Sequence, residues 1–149
     1  MPVDVLTEIV IDRPRLQVAE FAADPGNAPA WYRNIKTVRW ETDPPVAVGS
    51  RMTFVAKFLG RELAYTYEIR ELEGGRRLVM STSEGPFPME TTYVWEDAGP
   101  GRTRMTLRNR GEPTGFPHLA SPFVSFSMRR ANTKDLRQLK ALLESEPPA

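Results

Sequence analysis

The order of the hydrophobic patterns constrains this chain more than any other feature. One alternating segment comes first and two short helical stretches follow. A nearly continuous series of alternating segments fills the middle, and one long amphipathic stretch ends the chain. Alternation with a period of two marks strands with one buried face, and a stripe recurring every 3.6 residues or so marks a helix with one buried face. A curved sheet that meets its longest helix only at the end of the chain has one broad apolar surface and one cylinder to cover it. Sheet and helix can enclose a hollow, so the layout suggests a container.

Each segment can be placed from its residues. Val3, Val5, Thr7, Ile9 and Ile11 share one face of a first strand, with Asp4 and Glu8 on the other. Asp12 stands where it can cap a helix with Pro14 in its first turn; Leu16, Val18, Ala19, Phe21 and Ala22 give apolar faces until Asp24-Pro25-Gly26 ends it. A second short helix is expected over 28–33, carrying Trp31. Strands then follow one another. Val38 and Trp40 define the first of them, Met52, Phe54, Ala56 and Phe58 the next, and Leu63, Tyr65, Tyr67 and Ile69 the third. Leu78, Met80 and Thr82 come next, then Met89, Thr91, Tyr93 and Trp95, then Met105, Leu107 and Asn109. Gly60, Gly74-Gly75 and Gly99-Pro100-Gly101 fit hairpin turns. With the opening strand this predicts a seven-stranded, mainly antiparallel sheet. The Gly- and Pro-rich stretch 111–122 reads as a loop. Ser121 can cap the last helix with Pro122 at its first position, and a run to about Ser145 gives roughly 36 Å of helix. Residues 1–145 are expected to form one domain and 146–149 a frayed tail.

Composition excludes more than it selects. The chain has 149 residues, with 20 Lys and Arg against 19 Asp and Glu, so no basic footprint for nucleic acid or anionic membrane stands out. There is no cysteine, which removes disulfides, thiolate nucleophiles and cysteine-based metal sites. No stretch reaches the ~18 apolar residues of a membrane span, and Met1-Pro2-Val3-Asp4 lacks the character of a signal peptide, so a cytoplasmic location is expected. No ligand spacing resembles a metal site, no Gly-rich phosphate loop or nucleophile elbow occurs, and no cofactor is expected.

The chain resembles the START-like superfamily, also called SRPBCC, of polyketide cyclase/dehydratase and lipid-transport proteins, in its uncharacterised bacterial branch. The resemblance rests on the element order and on three stretches: the strand ending at Asp12 with Pro14-Arg15-Leu16-Gln17-Val18-Ala19-Glu20-Phe21, the lead-in Val48-Gly49-Ser50, and Arg130-Ala131-Asn132-Thr133-Lys134-Asp135-Leu136. It implies an α+β helix-grip fold, a curved antiparallel sheet wrapped around the C-terminal helix with two short helices after the first strand. It also implies a cavity. One fold hosts carriers, cyclases and receptors, so the resemblance carries fold further than function.

If the apolar strand faces line that cavity, Phe54, Phe58, Tyr65, Tyr67, Thr91, Tyr93, Trp95, Met105 and Asn109 come from the sheet. Ser125, Met128 and Asn132 come from the stripe of the last helix, which also carries Val124, Leu136, Leu139, Leu142 and Leu143. Asn132 is either a satisfied core amide or a ligand contact. The uncharged polar groups are hydroxyls and amides, and carboxylates are absent from the expected lining, which favours binding over demanding acid–base catalysis. The expected function is therefore binding of a hydrophobic or aromatic, lipid- or polyketide-like small molecule. A cyclase/dehydratase acting in the same cavity is the alternative. The container reading asks for a hollow of at least a few hundred Å3. His118 reads as a loop residue or a gate. Phe116, Phe123 and Phe126 read as packing under a loop, a homodimer contact or a flap over the mouth. Arg102, Arg104, Arg108 and Arg110 read as a basic row on the outer sheet face, solvated or facing an acidic partner.

Overall fold

The structure, a computed structural model, describes residues 3–58, 60–84, 88–111 and 122–146. Its elements are β1 (Val3–Ile11), α1 (Arg15–Ala23), a 3-10 turn (Pro25–Asn27), α2 (Ala28–Trp31), β2 (Ile35–Trp40), β3 (Arg51–Phe58), β4 (Arg61–Glu73), β5 (Arg77–Glu84), β6 (Met89–Asp97), β7 (Thr103–Gly111) and α3 (Pro122–Glu144). The strands form one seven-stranded antiparallel sheet in the order β1-β7-β6-β5-β4-β3-β2. From β3 onward each strand pairs with its predecessor, while the α1–α2 excursion carries the chain from β1 at one edge of the sheet to β2 at the other. This is the helix-grip architecture expected.

The short helices differ in detail from expectation. Asp12 does not cap α1. The N-cap position belongs to Pro14, in extended backbone and with no side-chain cap, and the Asp12 N–H donates instead to Glu144 Oε2 at 2.8 Å. That segment fastens the start of α1 to the end of α3. Asp24 caps the 3-10 turn, its Oδ1 accepting from the Gly26 N–H at 2.9 Å, and α2 ends at Trp31 because Tyr32 is already extended. Gly75, in the β4–β5 turn at φ 77°, lies so close to α1 that a Cβ there would sit 2.7 Å from Leu16 Cδ2. The positive φ favours glycine, and a Cβ there would have to push the exposed Leu16 side chain aside.

α3 runs beside the edge strand β1 and donates to it. Arg129 Nη1 bonds the Leu6 carbonyl and Lys140 Nζ the Val10 carbonyl, each at 2.9 Å, and Arg13 Nη2 returns the contact to the Glu144 carbonyl at 2.8 Å. Glu146, the first residue of the expected tail, also accepts from Arg13; residues 147–149 lie outside the described residues. The outer face is paired rather than uniformly basic: Arg108 donates to both Asp4 carboxylate oxygens at 2.9 and 2.6 Å, and Arg110 stands 4.0 Å from Glu90. The register places acids of β1 and β6 on either side of β7, which the pattern of β7 alone does not reveal.

The core is solid at one end only. Ile11, Val18, Trp31, Met52, Ile69, Leu78, Trp95 and Met105 pack with Leu136, Leu139 and Leu143 of the C-terminal half of α3. The N-terminal half contributes to a smaller cluster, Val124 with Met89, flanked by Tyr65, Tyr67 and Met128. Among the described residues no helix is long and apolar enough to cross a membrane.

Candidate functional site

Between the two clusters lies a cavity of about 160 Å3, roofed by α3 and walled by the concave face of the sheet. The alternation of each strand puts every second side chain on that face, and the position along the strand sets its depth. On β6 the sequence inward is Met89, Thr91, Tyr93, Trp95, and on β7 the partners of the last three are Asn109, Leu107 and Met105. Thr91, Tyr93 and Asn109 line the cavity, whereas Trp95 and Met105, paired with one another, sit within the solid core. Phe54, Tyr65, Tyr67, Met128 and Asn132 also line it. Ser125 does not: it falls about 100° around the helix from Val124, at the margin of the stripe. The side chain of Phe58 lies outside the described residues, as do Phe116, His118 and the side chain of Phe123; Phe126 is 63% exposed.

The hollow is smaller than the few hundred Å3 expected, because aromatic and thioether side chains occupy much of the concavity. Phe54 and Tyr67 meet edge to face at 5.7 Å, Tyr65 tilts against Tyr67 at 6.2 Å, and Met80 and Met89 complete the wall. A cavity of about 150 Å3 is enough to hold one benzene ring. A lipid- or polyketide-sized guest can therefore enter only in part.

One feature of the lining overturns the expectation that carboxylates are absent. Asp135, 2% exposed, faces the cavity from α3, and its Oδ1 accepts the Arg33 N–H at 3.0 Å. Burial pushes its carboxyl up to about 6, partly opposed by that N–H and by the Arg33 charge. The signal was present in the sequence, since Asp135 follows Met128 by seven residues and precedes Leu139 by four, both helical spacings. Tyr32, also missed, enters from the end of α2. Its hydroxyl shares a 2.5 Å hydrogen bond with that of Tyr93. Burial raises both hydroxyls well above the ordinary value of 10.0, most strongly by desolvation, and it lifts Tyr67 to about 12 against the opposing effect of Thr91. These tyrosines remain protonated near neutral pH and act as donors, not bases.

Two amides complete the polar arc. The Thr91 hydroxyl donates to Asn109 Oδ1 at 2.7 Å. Asn132, 5% exposed, has its Nδ2 buried without a partner among the described residues. The buried indole nitrogens of Trp31 and Trp95 share that condition, but both belong to the solid core. At the cavity wall an unpartnered amide donor asks for an acceptor, and leaving such a group unpaired costs about 1–3 kcal/mol. The site thus combines apolar ring-sized walls, neutral hydroxyl donors, an orphan amide and one carboxyl able to change charge near pH 6. Among the described residues no group of His, Asp and Glu side chains gathers as a metal site would require.

Known structures share this architecture. A START superfamily protein from Mycobacterium smegmatis superposes with a TM-score of 0.81 at 14% identity, covering 95% of this chain and 97% of its own. The Zhui aromatase/cyclase from a Streptomyces species gives 0.80 at 14% identity, with 97% and 94% covered. The major latex-like protein 151 from Panax ginseng gives 0.76 at 14% identity, with 94% and 96% covered. At such identities the likeness is one of fold. No match to a curated protein sequence was found. The family model described as "Polyketide cyclase / dehydrase and lipid transport" matches residues 2–144, nearly the whole chain, and the chain belongs to that family.

Proposed function

We propose that this protein binds a small hydrophobic or aromatic molecule, a single ring or a portion of comparable size, in the cavity between the sheet and α3. One observation carries the reading: a hollow of about 160 Å3 walled by Phe54, Tyr65, Tyr67 and Tyr93, with the unpartnered Asn132 donor at its side. A well-packed core leaves few voids larger than a water molecule, so a gap of this size and lining is suited to a guest. The family and the fold neighbours support the same class of ligand. The guest that matches the wall is flat, apolar over most of its surface, and carries a carbonyl or similar acceptor for Asn132.

Native mass spectrometry of protein purified from its own host tests this directly. A retained small molecule lost under denaturing conditions is the expected result. Empty protein that also fails to bind benzene or acetophenone in solution would refute the proposal.

A second reading, a cyclase/dehydratase-type enzyme, gains support from Asp135. Its carboxylate can take a proton from the carbon beside a carbonyl while the Asn132 amide donates to the enolate oxygen. Returned to a departing β-hydroxyl, that proton leaves as water: one C–H and one C–O bond break and a C=C bond forms. Dehydration of a one-ring β-hydroxyketone, followed by ultraviolet absorbance, is expected to stop in Asp135→Asn. Turnover unchanged in that variant would remove Asp135 from the chemistry.

A further inference from the structure

The outer side of the cavity wall carries an unbalanced charge. A surface groove of about 380 Å3 is lined by Arg33, Asn34, Ser127, Arg130, Ala131, Lys134 and Asp135. Three of those residues, Asn34, Ala131 and Asp135, also line the cavity, so groove and cavity share one wall where the α2–β2 connection meets the middle of α3. Lys57 lines the cavity from the sheet side, and its backbone N–H bonds the Asn34 carbonyl at 2.8 Å. Arg33, Lys57, Arg130 and Lys134 form no ion pair among the described residues.

Exposed cations on the outer face of a helix are ordinarily solvated and need no partner. Two observations set these apart. On the β1 side of α3, Arg129 and Lys140 are each engaged, on the carbonyls of β1 and, for Lys140, on Glu144 as well, whereas Arg130, Lys134 and Arg137 form no ion pair among the described residues. The single carboxylate of the groove, Asp135, lies behind the wall at 2% exposure with its oxygen turned to the Arg33 N–H, whereas Arg33 and Arg130 are exposed. In a chain whose formal charge is only +1, four cations without an ion pair among the described residues gather around this shared wall.

The geometry points to an amphipathic anion as the ligand: its apolar ring occupies the cavity, and a carboxylate or phosphate on a short tether rests in the groove against Arg33, Arg130 and Lys134. This inference rests on the proposed cavity binding and narrows its substrate class. Both anions accept hydrogen bonds from guanidinium and ammonium groups, and the planar fork of arginine suits either one. The neutral part supplies burial and the anion supplies orientation and a salt-dependent share of the affinity.

The test compares four probes by titration calorimetry on the full chain: hydrocinnamyl alcohol, hydrocinnamate, hydrocinnamyl phosphate and inorganic phosphate. One or both ring-bearing anions are expected to bind roughly ten-fold more tightly than the alcohol, and the better of the two identifies the anion class. Raising salt from about 50 mM to about 500 mM should shrink that advantage, the Debye length falling several-fold. The double variant Arg130→Gln/Lys134→Gln should lose the advantage while keeping the affinity for the alcohol. Alcohol and anions bound equally would overturn the anion subsite and leave the cavity reading standing. No ring-bearing probe bound at all would overturn both. Inorganic phosphate bound as tightly as the phosphate ester would overturn the coupling between groove and cavity.

Discussion

Replacing Asp135 by Asn should stabilise the protein in alkaline solution and lose that benefit in acid. The native carboxyl titrates at about 6 against 3.8 for an unperturbed one, so the folded state holds this proton more tightly than the unfolded chain does. The stability it contributes is complete below the unfolded value and is lost as the pH rises through about 6. At 1.36 kcal/mol per pKa unit the gap corresponds to about 3 kcal/mol at about pH 8. Asn keeps an oxygen for the Arg33 N–H, so most of that sum should appear as added stability, equivalent to roughly 6–12 °C in Tm for a domain of this size. The advantage should fall by about half at about pH 5 and to roughly a fifth near pH 4. Asp4, Glu41 and Glu144, whose hydrogen-bond partners hold their carboxyls below the ordinary range, titrate alike in both proteins and cancel from the difference. Urea denaturation of both proteins at the three pH values measures it. An advantage of equal size at about pH 4 and about pH 8, or none at either, would falsify the buried-carboxyl argument.

The tyrosine pair gives a second expectation: Tyr32→Phe and Tyr93→Phe should each cost about 1–2 kcal/mol, because each strands a buried hydroxyl, while the double variant should cost less than the sum. Strict additivity in a denaturation cycle would show that the two hydroxyls do not interact. Asn132→Leu removes an unpartnered buried amide and should leave the unfolding midpoint unchanged or raise it, while weakening binding of acetophenone more than that of benzene; equal losses for the two probes would remove Asn132 from ligand recognition. Gly75→Ala forces a side chain onto positive φ and into Leu16 Cδ2, and should destabilise by roughly 1–3 kcal/mol, whereas Gly60→Ala, which meets no neighbour, should cost only the backbone strain of about 1 kcal/mol. Equal midpoints for the two variants would mean that the β4–β5 turn relaxes away from α1.

What the sequence could convey follows from what a periodic pattern encodes. Parity tells which face of a strand a residue occupies, and it assigned Phe54, Tyr65, Tyr67, Thr91, Tyr93 and Asn109 to the concave side. Depth along the strand is a different coordinate. It depends on register and on where α3 leaves the sheet, so Trp95 and Met105 share the parity of the lining yet belong to the packed end. Asp135 was legible as a position on the helical stripe and was obscured by its chemistry, because a carboxylate on an apolar face looks like a break in the pattern instead of a part of it. Tyr32 was hidden differently: it belongs to a connection, and connections have no period from which a facing can be read. The cap expected of Asp12 failed because α1 begins at Arg15 with Pro14 at the N-cap, two residues past Asp12, whose N–H instead reaches Glu144, 132 residues away.

The fastening of α3 to β1 also bears on how copies of this protein behave in a crowded solution. An open sheet has two edges, and each can template a strand from another molecule and so seed aggregation. On the β1 side the carbonyls of Leu6 and Val10 and the Asp12 N–H are already taken by Arg129, Lys140 and Glu144, so an incoming strand finds that template occupied by its own helix. On the other side β2 is only six residues long, is interrupted by a register shift between Ile35 and Thr37, and exposes Lys36 and Arg39. One margin is sealed and the other is short, kinked and cationic, so the sheet can stay curved and open enough to house a guest without offering itself as the start of a fibre.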